Sequence, residues 1–312
     1  MTDQQTTPRP LRKIACIGEV MIEMVLQDDG GAALNVAGDT YNTAVYLAQR
    51  LQGTPAAVSY VTALGQDSFS LRAMTRMQAE GIDTACVERR ADKSIGLYAI
   101  ETDGAGERSF TYWRSDSAAR TMFQAPCTVD LRVLADFDLI YLSGITLAIL
   151  PPLMRTALLA ALDACRRGGA LVAYDSNHRP RLWESAAVAR ETNIAMWQRT
   201  DIALPSVDDE SVIHDDDSEA AALARLAGYG LTRGALKRGP TGPAPLVGRY
   251  DGPPFPAVTQ VVDTTAAGDS FNAGYLAAIV QGQSADRAMM AGHMLAAHVV
   301  QRRGAIVPLD GA

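Results

Sequence analysis

A mostly parallel α/β sheet carrying a small inserted β lid is the architecture this 312-residue sequence predicts. Three observations carry the reading. Apolar strand-like runs alternate with amphipathic helix-like segments along most of the chain, the rhythm of a parallel sheet with helical crossovers. The strand-like runs end in glycine, acidic, amide or basic residues (Gly18, Gly144, Asn177, Arg179, Lys237), where ligands sit in such sheets. The rhythm breaks once, between about Ser94 and Arg114, where two short β runs flank a turn sequence.

The N-terminal residues 1–12 are polar and contain proline, and read as a disordered tail without an apolar signal core. Ile14-Ala15-Cys16-Ile17 is a buried strand leaving through Gly18-Glu19. Ala37-Gly38-Asp39-Thr40 precedes an amphipathic helix carrying Ala44, Val45, Leu47, Ala48 and Leu51. Val58 to Leu64 is a strand, and Gly65-Gln66-Asp67-Ser68 leads into a helix that ends before Gly81. Gly96 to Glu101 and Ser109 to Arg114 form the hairpin, joined by Asp103-Gly104-Ala105-Gly106-Glu107-Arg108. Leu139 to Ser143 is a strand, Leu153 to Arg167 a helix stopped by Gly168-Gly169, and Leu171 to Asp175 a strand. Ile202 to Pro205 is a strand, Ser218 to Ala227 a helix, and Ala235 to Gly239 holds another strand end. Val258 to Val262 reads as a strand and Asn272 to Gln281 as the last clear helix. With no internal repeat or long linker, residues 13–312 read as one domain whose lid includes about 94–114.

Hydrophobic residues make up 48% and charged residues 20%, ordinary for a globular chain, and the formal net charge is −7. A nucleic-acid partner is not expected, because it needs a basic face. No apolar run approaches the ~20 residues of a membrane helix. Cys16, Cys86, Cys127 and Cys165 form no CxxC pair and read as reduced thiols of a cytoplasmic protein.

The segment Asp263-Thr264-Thr265-Ala266-Ala267-Gly268-Asp269-Ser270-Phe271 lies between a strand-like and a helix-like run. Small side chains let a ligand approach the backbone, and the free N–H groups of a helix start make an anion site. A carboxylate at the lip of such a site can take a proton from a hydroxyl. Anion hole plus base is what phosphoryl transfer to an alcohol needs, so the segment points to a small-molecule kinase. There is no GxxxxGK[ST] phosphate loop and no protein-kinase set. Asp39 and Asn42 suit hydrogen bonds to sugar hydroxyls, with helix capping as the plainer alternative. Strand alternation puts Tyr112 and Arg114 on one lid face and Trp113 on the other. A tyrosine and an arginine together suit recognition of a carboxylate or phosphate. Arg179 and Arg181 follow a strand end, either solvated or facing a ligand. Asp215-Asp216-Asp217 reads as a solvated loop, whereas Asp209 follows a strand end and could hold Mg²⁺ through water.

These motifs resemble the ribokinase/PfkB family of carbohydrate kinases over nearly the whole chain. Asp263 to Phe271 is similar to its C-terminal signature and Gly38 to Ala44 to its N-terminal one. Gly96-Leu97-Tyr98, Gly106-Glu107-Arg108, Tyr112-Trp113-Arg114, Tyr141 to Ile145 and Arg179 to Trp183 resemble its ketodeoxygluconate subgroup. The resemblance implies a ribokinase-like three-layer α/β/α sandwich. It makes Asp269 the base and the N–H groups of Ala266, Ala267 and Gly268 the anion hole. Gly38, Asp39, Asn42, Tyr98, Tyr112, Arg114 and Arg179 would hold a sugar acid. Lys237, Gly239 and Gly242 would border ATP, Asp209 would hold Mg²⁺ through water, and Asp263 with Thr265 would match a K⁺ site. Two departures stand out: Asp209 sits where the family often has glutamate, and the loop Gly239 to Pro245 is rich in proline. The activity implied is ATP-dependent phosphorylation of 2-keto-3-deoxy-D-gluconate at its terminal hydroxyl. Alternatives are its galactonate epimer, fructose or ribose as substrate, or a silent sugar-acid sensor. Neutral sugars need no arginine clamp, which favours the acid. The lid, with Trp113 on its reverse face, leads us to expect a homodimer or higher homo-oligomer.

Overall fold

The computed structural model describes residues 10–27, 29–102 and 108–309. The chain opens with β1 (Lys13–Ile17), β2 (Met21–Leu26) and β3 (Ala32–Ala37), then α1 (Asp39–Arg50), β4 (Ala57–Leu64), α2 (Ser68–Ala79) and β5 (Val87–Arg89). Next come β6 (Gly96–Thr102), β7 (Arg108–Trp113), β8 (Leu139–Ser143), α3 (Gly144–Ile149), α4 (Pro152–Arg167) and β9 (Leu171–Asp175). The remaining elements are α5 (Ala186–Trp197), β10 (Ile202–Ala203), α6 (Val207–His214), α7 (Glu219–Gly228), β11 (Ala235–Leu236), β12 (Ala244–Pro245), α8 (Ala267–Val280) and α9 (Ala285–Val300).

Six strands form a parallel sheet in the order β10-β9-β8-β1-β4-β5. Bridges Ala203 to Gly234 and Ser206 to Lys237 continue the parallel direction towards β11. Alternation along the strands divides the core into two layers, as a sheet covered on both faces requires. Ile14, Cys16, Leu139 and Tyr141 face α1, α8 and α9, packing with Leu47, Leu276 and Met289. Ala15, Ile17, Ile140 and Leu142 face the other way, against Leu158, Leu162, Trp197 and Leu226. The three-layer α/β/α expectation is met.

The chain runs outward from β1 in one direction through β4 and β5, and in the other through β8, β9 and β10. The order therefore reverses at β1, and the crevice at its carboxyl end is where such sheets bind ligands.

The small sheet is larger than the hairpin expected. It has four strands in the order β3-β2-β6-β7, so residues 21–37 contribute half of it. Asp29-Gly30-Gly31 makes the turn of the β2–β3 hairpin: Asp29 Oδ1 accepts from the Gly31 N–H at 2.8 Å, and Gly30 has φ 82. That dipeptide between two apolar runs is the sequence signal for it. The β6–β7 turn expected at 103–108 lies outside the described residues except for Arg108.

Two further expectations are corrected. Val258 to Val262 forms no strand. Val261 and Val262 are exposed, and the N–H groups of Val262 and Asp263 donate to the Val300 carbonyl at 2.8 and 3.1 Å. Among the described residues no neighbouring strand offers this segment a ladder, so β-branched composition alone does not make it one. Of the expected tail, 1–9 lie outside the described residues, but Leu11 packs on the core and the Arg12 and Lys13 N–H groups donate to Asp138, each at 2.9 Å. The last clear helix also begins earlier than Asn272, at Ala267.

Candidate active site

Asp269 sits in the first turn of α8. The turn before it is built by Ala266, a non-glycine residue at φ 59 and ψ 17. That left-handed conformation costs roughly 1–2 kcal/mol for an L-residue, and it turns the chain abruptly into the helix. The Ala267 N–H is taken by the Thr264 carbonyl at 3.2 Å. Among the described residues the N–H groups of Gly268 and Asp269 have no backbone acceptor, as first-turn amides do not. Of the expected set Ala266, Ala267 and Gly268, the Ala267 N–H is thus occupied within the turn.

The Asp269 carboxylate is held from α1. Asn42 Nδ2 donates to its Oδ2 at 2.8 Å, while Asn42 Oδ1 accepts from the Gly38 N–H at 3.3 Å. The backbone of Gly38 therefore turns the amide so that its NH₂ faces Asp269. Gly38 has to be glycine for space: a Cβ would lie 2.3 Å from the Glu19 carbonyl oxygen. Burial pushes the Asp269 carboxyl up to about 8; the nearby Asp39 adds to the rise, and the Asn42 hydrogen bond opposes it.

Asp39 is not a helix cap. Gly38 occupies the capping position, and Asp39 Oδ2 accepts from Ser143 Oγ and, at 2.8 Å, from Asn177 Nδ2. Two strand ends thereby aim this carboxylate into the cleft from β8 and from beyond β9.

Lys237 stands on the opposite side of the α8 start. Its Nζ lies 3.6 Å from where a Gly268 Cβ would be. It donates to Asp175 Oδ2 at 2.7 Å and to Asn272 Oδ1 at 3.2 Å. Gly239 (φ 58) and Gly242 (φ 79) bound the turn that follows, and a Cβ on Gly242 would meet the Phe255 ring at 2.8 Å. Phe255 stacks on Tyr250 with centroids 4.4 Å apart and lies 5.1 Å from the His293 ring, forming an aromatic wall beside this loop.

The small sheet supplies the other wall. Tyr98 and Tyr112 face each other across β6 and β7, stacked at 5.6 Å. The Tyr98 hydroxyl donates to Glu23 Oε2 at 2.6 Å. Tyr112 is exposed, whereas Arg114 is buried and ion-paired with Glu19. β7 ends at Trp113, but the Arg114 Cβ lies 3.3 Å from where a Cβ on Gly96 would be, two residues before Tyr98 on β6, so Arg114 leaves the strand on the Tyr98 and Tyr112 side. Arg179 is exposed and donates to the His178 carbonyl at 2.8 Å. It stands close enough to Asp209 to pull that carboxyl down, against the larger upward push of burial and then of Asp175. Arg114 and Arg179 thus stand on separate walls and are not in contact.

Asp209 Oδ2 accepts from Ser206 Oγ at 2.8 Å. Asp263 is buried; its Oδ1 accepts from the Thr265 N–H and Oγ at 3.0 and 2.7 Å, and its Oδ2 from the Gly304 N–H at 2.9 Å. Among the described residues no group of three or more His, Cys, Asp or Glu side chains is placed to hold a metal.

Sequence reasoning did not single out Asp175, Ser143, Asn272, Glu19 or Glu23, whereas Asn177 was among the strand-end residues expected near a ligand. Three of the missed residues, Asp175, Ser143 and Glu19, sit at or just past the carboxyl end of a parallel strand, and that position was the available signal. Glu23 lies on the unrecognised β2. Asn272 is one helical turn beyond Asp269, a spacing that places both on one face.

The sequence matches the pfkB family of carbohydrate kinases over residues 11–311. It is 44% identical over 306 residues to 2-dehydro-3-deoxygluconokinase of Dickeya dadantii, covering 96% of this chain and 98% of that one. It is 41% identical over 306 residues to the protein of the same name from Escherichia coli K12, with the same coverage. In three dimensions it resembles aminoimidazole riboside kinase of Salmonella enterica complexed with aminoimidazole riboside and an ATP analog. That match has a TM-score of 0.79 at 22% identity and covers 94% of this chain and 95% of that one.

Proposed function

This chain belongs to the pfkB family of carbohydrate kinases, and from that premise we propose that it transfers the γ-phosphoryl group of ATP to the terminal hydroxyl of 2-keto-3-deoxy-D-gluconate. The observation that carries the chemistry is Asp269 at the start of α8, held by Asn42, with the Lys237 ammonium beside Gly268. The substrate is supported by the shared name of the relatives.

Asp269 takes the hydroxyl proton as that oxygen bonds to the γ-phosphorus and the bond to the ADP oxygen breaks. The N–H groups of Gly268 and Asp269 and the Lys237 ammonium meet the charge on the moving phosphoryl oxygens. Ala266 and Ala267 shape the turn that aims those amides. Gly38, Asp39, Asn42, Tyr98 and Tyr112 line the sugar side, and Arg114 and Arg179 face the carboxylate from opposite walls as the small sheet closes like a lid. Gly239 and Gly242 border the nucleotide.

The donor set fits Mg²⁺ carried on the ATP phosphates: Asp209, raised by burial and then by Asp175, would reach it through water and gain from its charge. Asp263 and Thr265 support a K⁺ site that orders the turn into α8. Free Cys16, Cys86, Cys127 and Cys165 suit a reducing cytoplasm. Phe110, Tyr112 and Trp113 expose aromatic area on the small sheet, which suits pairing with a second copy; a monomer mass by light scattering at assay concentration overturns that pairing.

The deciding experiment measures ADP release from Mg-ATP with 2-keto-3-deoxygluconate, its galactonate epimer, fructose and ribose, in potassium and in sodium. Turnover confined to the keto-deoxy acids is expected. Turnover with neutral sugars removes the arginine recognition, and binding without turnover removes the kinase reading.

A further inference from the structure

We propose that Asn272 is a positioning residue for phosphoryl transfer, fixing the Lys237 ammonium beside the start of α8. The inference rests on the reading of Lys237 as a phosphate contact. Asn272 is fully buried on α8, three residues after Asp269, where no substrate reaches it.

Its side chain makes three polar contacts, and each has a distinct partner. Oδ1 accepts from Lys237 Nζ at 3.2 Å; Nδ2 donates to Asp175 Oδ2 at 2.6 Å and to the Tyr141 hydroxyl at 3.0 Å. Asp175 Oδ2 also accepts from Lys237 Nζ at 2.7 Å, so lysine, carboxylate and amide form a closed triangle. A lysine ammonium carries three donors. Two are used by Asp175 and Asn272, which leaves the third to point out of the triangle towards an anion at the Gly268 amide. Asp175 supplies the counter-charge, but one contact leaves a flexible four-carbon stem free to swing. The second contact, from Asn272, fixes direction.

Only an amide does this here. An aspartate at 272 would set two carboxylates 2.6 Å apart. An aliphatic side chain would leave Asp175, Tyr141 and Lys237 each short of a buried partner. The network continues to the base: Thr43 Oγ1 donates to the Tyr141 hydroxyl at 3.3 Å and stands 3.1 Å from the Asp269 carbonyl oxygen. Tyr141 is itself fully buried, so the chain of contacts from the lysine to the backbone of Asp269 is shielded from water.

The test is a double-mutant cycle on kcat of the full-length enzyme with ATP and 2-keto-3-deoxygluconate. Lys237→Met is expected to lower kcat about 10²–10³-fold, as loss of one donor to a developing charge does. Asn272→Ala is expected to lower kcat about 10–100-fold with the KM for the sugar acid unchanged. In the Lys237→Met background the Asn272→Ala change should cost less than about threefold, because residues acting as a unit are not additive. A purely structural role gives the product of the two losses, and that result overturns the proposal. Normal kcat for Lys237→Met removes the phosphate role of Lys237 whatever Asn272 does, and the proposal with it. If Asn272→Ala does not fold, Tyr141→Phe replaces it. That change loosens Asn272 without touching Lys237, and the same non-additivity is expected at about two- to fivefold; additive losses overturn it equally.

Discussion

Asp269 carries two opposed demands. A base must be ionised to accept a proton, yet burial and the neighbouring Asp39 disfavour its charge and raise its pKa to about 8. A carboxylate at its ordinary pKa would be a feeble base at neutral pH, so the unfavourable environment is what makes it useful. Asp269→Asn separates the two demands. The amide mimics the protonated acid in size and can still accept from Asn42, so folding is expected to survive while kcat falls roughly 10²–10⁴-fold. The same variant is expected to melt higher than wild type at pH 8 and above, because it removes a buried charge retained for chemistry. Steady-state kinetics and thermal melts on one preparation decide both points. Near-normal turnover removes Asp269 as the base, and an unchanged melting temperature removes the cost assigned to its charge.

At the scale of elements, the close approach of α1 to the exit of β1 sets the geometry of the base. Gly38 has φ 162, extended backbone open to any residue, so its requirement is purely steric. A methyl there meets the Glu19 carbonyl at 2.3 Å, and the backbone must shift to admit it. Gly38→Ala is therefore expected to move Asn42 off Asp269, lowering kcat/KM at least about tenfold and costing about 1–3 kcal/mol of stability. Gly53→Ala is the control: φ is 79, nothing lies within 4 Å of its Cβ, and kinetics should stay at wild type with a modest strain cost alone. Wild-type kinetics for Gly38→Ala sink the coupling of helix to base. Elements with strong periodicity were legible from sequence: β1, α1, β4, α4, β8 and β9 stand where their apolar patterns put them. The β2–β3 hairpin was readable from Asp29-Gly30 but went unrecognised. The run Val258 to Val262 misled, since a strand needs a neighbour and composition does not supply one. In the site, Asp269, Asn42 and Lys237 were legible because their motifs are local. Asn272, Asp175 and Tyr141 were not, because their meaning lies in contacts spanning 97 and 131 positions. Arg114 was foreseen as a residue but not as the buried partner of Glu19.

Three buried groups from different parts of the chain shape the pH response of the whole molecule. Asp269 is raised to about 8, chiefly by burial. Glu210 on α6, fully buried, is raised to about 7 by burial against the opposing pull of Arg225. His214, one turn later, is lowered to about 4 by burial and then by Arg225. For the two acids the folded state holds its proton more tightly than the unfolded chain. Their contribution to stability is complete below the ordinary carboxylate range and is lost as pH rises through 7 and then 8. For His214 the folded state rejects the proton, so its contribution is complete above about 6.5 and is lost as pH falls towards 4. The contributions oppose each other in the acid range and stop opposing above about pH 6.5, where the histidine is neutral in both states. There Asp269, with the last of Glu210, acts alone. Ligand-free wild-type protein is therefore expected to lose melting temperature between pH 6.5 and 8.5, while kcat/KM rises over the same interval as the base ionises. Asp269→Asn should flatten much of that decline and, with its opposing contribution gone, leave the loss caused by His214 more visible as pH falls from 6.5 towards 4. Melting curves of wild type and Asp269→Asn that stay parallel from pH 6.5 to 8.5 would show that the charge of Asp269 is not what the fold resists.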